Sequence, residues 1–434
     1  MRKFLLGAAL ALFAFALVAC GGNGDDGGGA EATPTPTPAA AATPSPTPAA
    51  TPETRPAEVP AERTTIRFAA QPDATNGTRA LIDAFNDSQD EFYAEWVELT
   101  NDSGEHRNIL LNSFRAGSTE YDVVSLDVVW AGEFAAAGFI EPLDQRMAGA
   151  GLNARMFNSG SMASGMYQGQ NFVLPFFPDL GFLYFRSDIV SAETAARLVA
   201  GNYTWADLYD WANEYMGEEG TQYGIVYQSG LYEGLTCNLN EFTHNWTDIR
   251  GGLQMMRQFT DSDATPANIL VFTEGETHNA FINGQSVFAR NWPYQWGMIM
   301  SEGSIDQAQV SVAPLPGGGT VGGWLLAMNA SSANPEGAWA LMQFMATNEG
   351  QRVLSINGGY LPGFNDTLGD AEVIANNALL TMEGFQNALL TTIARPVAAN
   401  YAEVSERIQI AAHGFLAGSL DLDAAVAEIE AALR

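Results

Sequence analysis

At 434 residues the chain is long for one compact core, and two domains are the expectation. Its 19 Lys and Arg stand against 50 Asp and Glu, a formal charge of −31. That balance excludes a nucleic-acid partner and an electrostatic hold on an anionic membrane, since both need a basic surface.

The start, "MRKFLLGAALALFAFALVACGG", has a basic head (Arg2, Lys3), an apolar run from Phe4 to Val18 and small residues before Cys20. This pattern predicts an export signal over residues 1–19, too short and wrongly flanked for a membrane span. Its end, "LVAC", resembles the bacterial lipobox. That resemblance makes Cys20 the first mature residue and a lipidation site; an ordinary secretory cleavage at "VAC" is the alternative. More than one acyl chain gives a lasting anchor. Cys237, the other of two cysteines, is then left without an intrachain disulfide partner. Residues 20–63 continue as "GGNGDDGGG" and "ATPTPTPAAAATPSPTPAATPETRPAEVP". Proline at nearly every second or third place favours extended polyproline II, about 3.1 Å per residue, so the segment reads as a stalk. Thr/Pro repeats also suit O-glycans.

Folding starts near Thr64. "TTIRFAA" predicts a strand and "GTRALIDAFNDSQ" a helix with Leu81, Ile82 and Phe85 on one face. "AEWVELT" is a strand, "HRNILLNSFRAG" a helix closed by Gly117, and "YDVVSLD" a nearly continuous apolar strand. "VWAGEFAAAGFIEPLD" starts a helix and ends in a turn. Alternating strands and helices, with continuous apolar strands among them, mean an α/β fold with parallel pairing. "NFVLPFFPDLGFLYFRSDI" reads as a strand leaving one sheet and, after a break, another entering a second sheet. A helix opened by Thr204 follows, then the strand "QYGIVYQSG". In "AFINGQSVFARNWPYQW" a helix ends, a strand runs, and Pro293 stops it, because proline has no N–H for a ladder. "GGWLLAMN" is a strand, "NPEGAWALMQFMATNEGQRVLSIN" a long amphipathic helix, and "AEVSERIQIAAHGFLAG" and "DLDAAVAEIEAAL" two closing helices.

"PLPGGGTVGG" lacks the Lys-Ser/Thr of a phosphate loop, and four scattered histidines have no metal-ligand spacing. No metal or cofactor is expected. "SGSMASG" is no nucleophile elbow, and no local spacing singles out a carboxylate pair for glycoside hydrolysis. What stands out is aromatic residues beside turns: Phe176 and Phe177, Tyr232, the cluster Trp292, Tyr294 and Trp296, and Trp324. Taken singly, each is more often core than site. A sugar offers an apolar C–H face and a rim of hydroxyls, which suit a flat aromatic wall with charged residues able to make paired hydrogen bonds. Asp127, Asp179, Arg107 and Arg395 stand near comparable junctions, although each alone reads more simply as a solvated surface charge.

At this point the chain resembles the extracellular solute-binding proteins that feed carbohydrate ABC importers, within them the trehalose/maltose-binding type. The resemblance is carried by "YDVVSLDVVWAGEFAAAGFIEPLD", "LPFFPDLGFLYFRSDI", "TWADLYDWA", "YEGLTCN", "FARNWPYQWG", "VAPLPGGG", "GGWLLAMN", "GAWALMQFMATNEGQ" and "ARPVAANYAEVSERIQ", in order from about 65 to the end. It implies a two-lobed periplasmic-binding-protein fold (type II) with ligand in the cleft. Lobe 1 would be 64–178 and 291–330, lobe 2 179–290 and 331–434. It places Trp292, Tyr294 and Trp324 as stacking walls, with Phe177 where relatives often carry Tyr. Asp127, Asp179, Arg107, Arg395 and the Gly323 backbone fall at positions that hydrogen-bond hydroxyls. Asn76, or Asp73, takes the place of an acid near the first strand, and Tyr232 completes the set. Trp296 packs in the core. After "GLTCNLNEFTHNW" the chain runs almost directly into "TDIRGGLQMMRQF", where relatives carry a longer insertion, so one wall of lobe 2 is trimmed.

The resemblance therefore implies a monomeric, non-enzymatic receptor, lipid-anchored on the outer side of the cell membrane. It would bind a carbohydrate, a disaccharide such as maltose or trehalose, and deliver it to ABC permease subunits. The alternatives are a secreted glycoside hydrolase, a binding protein for an oligosaccharide, polyol or sugar phosphate, and, favoured only by the stalk, a surface adhesion protein.

Overall fold

Buried strands seed both sheets, Val123–Asp127 in the first and Phe182–Arg186 in the second. The computed structural model describes residues 63–434 apart from 397 and 399. In chain order the strands are β1 (Thr64–Ala70), β2 (Phe92–Glu98), β3 (Val123–Asp127), β4 (Met166–Tyr167), β5 (Gln170–Asn171) and β6 (Leu174–Leu180). Then come β7 (Phe182–Arg186), β8 (Tyr223–Val226), β9 (Ser286–Asn291), β10 (Val310–Ala313), β11 (Gly319–Met328) and β12 (Thr392–Ile393). The export signal, Cys20 and the stalk up to 62 lie outside the described residues.

The first sheet has the order β12-β11-β3-β1-β2, with β6 also paired to β11. β1 is parallel to β2 and β3, whereas β11 is antiparallel to β3 and β6. Every residue of β3 is buried, as an apolar strand covered on both faces requires. The second sheet has the order β10-β7-β9-β8. Since β6 runs on through Pro175 and Pro178 to Leu180, the break between two sheets, expected at 178/179, falls instead at Gly181. A Cβ there would collide with the Arg290 guanidinium and the Glu241 carboxylate, so the crossing needs glycine. The chain returns from β10 to β11 through 314–318 and crosses again near β12, whose Thr392 and Ile393 pair with Gly319 and Thr320.

Thr204 opens the helix Trp205–Tyr215 with a full capping box to Asp207, and Gly117 follows the helix Ser103–Arg115 with φ +63°. The long helix expected over 334–357 is two helices, Pro335–Ala346 and Asn348–Gly358. Thr347 between them is extended, at φ −105° and ψ −178°, and its hydroxyl donates to the Gln343 carbonyl. Both helices bury Leu341, Met342, Met345 and Leu354 with Ile66, Phe68 and Phe85, so they cover the first sheet. Residues 335–358 thus pack with lobe 1, where the pattern placed 331–434 in lobe 2. Conversely, β10 lies in the second sheet and Trp296 in its core, although 291–330 was assigned to lobe 1. Helical periodicity shows which face is buried but not against what. Helix Glu233–Phe242 is joined to Ile249–Thr260 by a tight turn in which His244, Asn245 and Trp246 have φ of 52°, 58° and 63°. Among the described residues no helix is long and apolar enough to cross a membrane.

Candidate functional site

The strand β11 gathers residues that are far apart in sequence. Its Trp324 lies opposite Asp127 of β3 on one side and Phe177 of β6 on the other, while Gly322 lies opposite Asp179. Asp127, Phe177, Asp179, Gly323 and Trp324 therefore reach the same end of the first sheet. They face Tyr232, Trp292 and Tyr294 from the second lobe, and Arg395 beyond β12, across a cavity of about 330 Å³. That size falls within the range of small-molecule sites, about 300–1,000 Å³.

Each tryptophan is braced from behind. Trp324 is half-buried, with its ring centroid 5.3 Å from His106 and 5.6 Å from Trp130, the latter edge-on at 88°. His106 is fully buried, which lowers its pKa to about 4, so it stands as a neutral ring. Trp292, also half-buried, lies over Arg290, whose guanidinium carbon is 4.0 Å from the ring centroid. Arg290 is itself held by the Glu241 carboxylate at 2.9 and 2.5 Å. The Trp292 indole N–H donates to Glu274 at 3.2 Å. Gly322 leaves room for this ring, since a Cβ there would sit 3.1 Å from it. Gly323 has φ +131°, a conformation open to glycine alone here, because a Cβ would come 2.9 Å from the Phe177 carbonyl oxygen.

An ion cluster ties the two lobes together. Arg395 donates to both Asp127 oxygens, at 3.0 and 2.5 Å, and to Glu233 at 3.0 Å. Glu233 also accepts from the hydroxyls of Tyr401 and, at 2.6 Å, Ser405. Tyr294 is within 2.9 Å of His278 Nδ1, and burial lowers the pKa of that histidine. Cys237 is free and buried at the cavity edge, and burial pushes its thiol up, away from the nucleophilic thiolate.

Two expected site residues stand elsewhere. Arg107 lies one position, roughly 100°, round its helix from His106. Its Nε and Nη2 donate to Glu133 at 3.0 and 2.6 Å, outside the cavity. Asn76 is exposed at the start of the helix Gly77–Ser88. Asp73 accepts instead from the Thr75 and Thr78 backbone and from Tyr360 Oη at 2.8 Å, while Gln71, Pro72 and Ala74 form the wall. Glu233, Glu274, His278 and Tyr360 line the cavity without having been singled out. Glu274 had a local signal, since it opens a helix behind the Thr273–Glu276 capping box. Tyr360, whose ring centroid lies 4.3 Å from that of Phe177 at a tilt of 33°, had none.

Burial holds the Asp179 carboxyl well above its ordinary value of 3.8, opposed by Arg290. The folded chain therefore keeps this proton to higher pH than the unfolded chain. The stability it supports is complete below the ordinary value and is lost as pH rises through the folded-state value. Ligand-free Asp179→Asn, which cannot ionise, is expected to outlast the parent in denaturant at neutral pH, with the gap closing as pH falls to 3.8. A variant weaker than the parent at neutral pH contradicts this.

Comparison with known proteins covers the same region. The family model described as "Bacterial extracellular solute-binding protein" matches residues 72–352, well over half of the chain. A protein of Deinococcus radiodurans described as a probable ABC transporter-binding protein is 26% identical over an alignment of 348 positions that covers 74% of this chain and 81% of that one. Maltose-bound MalE3 of T. maritima superposes with a TM-score of 0.76 at 27% identity, covering 85% of this chain and 99% of its own. A solute-binding protein of Agrobacterium vitis S4 with bound D-mannitol has a TM-score of 0.72 at 16% identity, over 85% of this chain and 97% of its own, a likeness of fold alone.

Proposed function

This chain belongs to the bacterial extracellular solute-binding protein family, and from that premise we propose that it is a carbohydrate receptor of an ABC importer. The observation that carries the reading is a pair of braced indole rings, Trp324 on the first lobe and Trp292 on the second, bordering one cavity with carboxylate and guanidinium groups between. Flat rings meet the apolar face of a sugar, and the charged groups meet its hydroxyls. Maltose in the T. maritima relative supports a disaccharide such as maltose or trehalose. The ligand would draw the lobes together by a hinge motion, and the permease would read the closed form. Nothing in this scheme needs a chemical step.

A thermal-shift screen over mono- and disaccharides, oligosaccharides and polyols tests it. A true ligand at 100 times its dissociation constant should add about 2.7 kcal/mol of stability. No shift with any of them would remove the reading.

The lipobox-like "LVAC" supports attachment through Cys20 to the outer side of the membrane. Cys20→Ala should leave the membrane fraction while binding the same ligand with unchanged affinity. Material that stays membrane-bound after signal removal contradicts the anchor.

A further inference from the structure

The inference rests on the carbohydrate reading of the cavity and concerns the part of the ligand beyond the sugar. The space between the lobes does not end at the tryptophan walls. Asn101, Tyr232 and Thr273 line the cavity and also line a second crevice of about 370 Å³, so the two spaces adjoin. Asn101 and Asp102 of the first lobe and Leu231, Leu270 and Val271 of the second border this crevice. It adds about as much room again as the cavity itself.

Its chemistry differs from that of the cavity. No tryptophan borders it, and its hydrophobic wall is mainly aliphatic, whereas a sugar ring is best met by a flat aromatic face. Its polar side chains already have partners. Asp102 accepts the Glu105 N–H at 2.8 Å, the Thr273 hydroxyl donates to Glu276 at 2.7 Å, and His413 Nε2 lies 3.0 Å from the Leu270 carbonyl oxygen. Such a lining suits hydrocarbon better than a rim of hydroxyls.

A second sign is exposure. Leu231 is 54% and Val271 63% exposed. Single apolar residues on a surface are ordinary, but two that share one crevice beside a ligand cavity mark a contact surface. The loops that carry them are pinned together, the Ser229 and Gly230 N–H groups both donating to the Phe272 carbonyl at 3.1 and 2.9 Å. The crevice is therefore preformed. We propose that the ligand is a glycoside, with its sugar between the tryptophans and an apolar alkyl or aryl aglycone against Leu231 and Val271.

The test is calorimetric titration with glucose and maltose, each as the free sugar and as its methyl and hexyl glycosides in both anomers, and with maltotriose. Each buried methylene is worth about fourfold in affinity, so at least one hexyl glycoside should bind about tenfold tighter, or more, than its methyl counterpart. In the double variant Leu231→Ser, Val271→Ser, methyl and hexyl glycosides should bind alike. Both side chains are exposed, so its denaturant midpoint should match the parent's. Hexyl glycosides that bind no tighter than methyl ones would overturn the aglycone and leave the carbohydrate reading standing. If maltotriose then gains over maltose, the crevice is a sugar subsite instead. A hexyl gain that survives the double variant would also overturn the proposal. Binding of none of these compounds would remove it together with the disaccharide reading on which it rests.

Discussion

Trp292→Ala and Trp324→Ala are each expected to weaken sugar binding by about 2–4 kcal/mol, the range of interface hot spots, while the ligand-free protein stays folded. Each ring is half-buried, so truncation removes a wall of the cavity rather than the centre of a core. Trp296, four residues on from Trp292, is the control. It is 1% exposed in the core of the second lobe, and Trp296→Ala should cost about 3–5 kcal/mol of stability through the void it leaves. Denaturant unfolding of the three ligand-free variants, followed by calorimetric affinity, separates the roles. If Trp292→Ala and Trp324→Ala bind as the parent does, or unfold as early as Trp296→Ala, the rings are not ligand walls.

The second large effect concerns the buried pair beneath Trp292. Arg290 and Glu241 have side chains 2% and 0% exposed, and Glu241 also accepts the Thr320 N–H at 3.0 Å. Glu241→Gln removes the negative charge and leaves Arg290 buried alone. Breaking such a pair costs about 3–5 kcal/mol. Arg290→Met combined with Glu241→Leu should recover part of that loss, because the two charges leave together, while Asp179 loses the opposing Arg290 and the Thr320 N–H its acceptor. Sugar affinity should stay reduced in the double variant, since Trp292 loses the cation beneath its ring. Urea midpoints of single and double variants decide it. A Glu241→Gln protein as stable as the parent would show that the pair does not hold this junction.

Local chemistry was legible and tertiary chemistry was not. The strand β1, the cap at Thr204 and a passage between sheets within 174–186 each follow from a few neighbouring residues, although the passage lies at Gly181 and not at 178/179. β9 ends before Pro293 as expected, but Pro293 then opens a helix, Tyr294–Ser301, that carries Tyr294 and that the sequence pattern does not show. What brings Asp127 beside Trp324 is the register of β3 against β11, and no periodicity encodes register between strands nearly two hundred residues apart. Arg107 failed because its guanidinium pairs with Glu133 outside the cavity, a tertiary contact that helical spacing does not show. Glu233 and Glu274 were lost among 50 acidic residues, because burial beside too few cations marks them and composition does not. The helices at 335–358 were readable as amphipathic, but their sheet partner was a matter of three-dimensional packing.

The central claim is that this cavity holds a carbohydrate and leaves it unchanged. Its most direct test is a titration of the purified protein with the best sugar of the screen, followed by chromatographic recovery of that sugar after denaturation. The account predicts saturation at one ligand per chain, with the sugar recovered intact. Saturation absent in the parent, or recovery of a cleaved sugar, would contradict it.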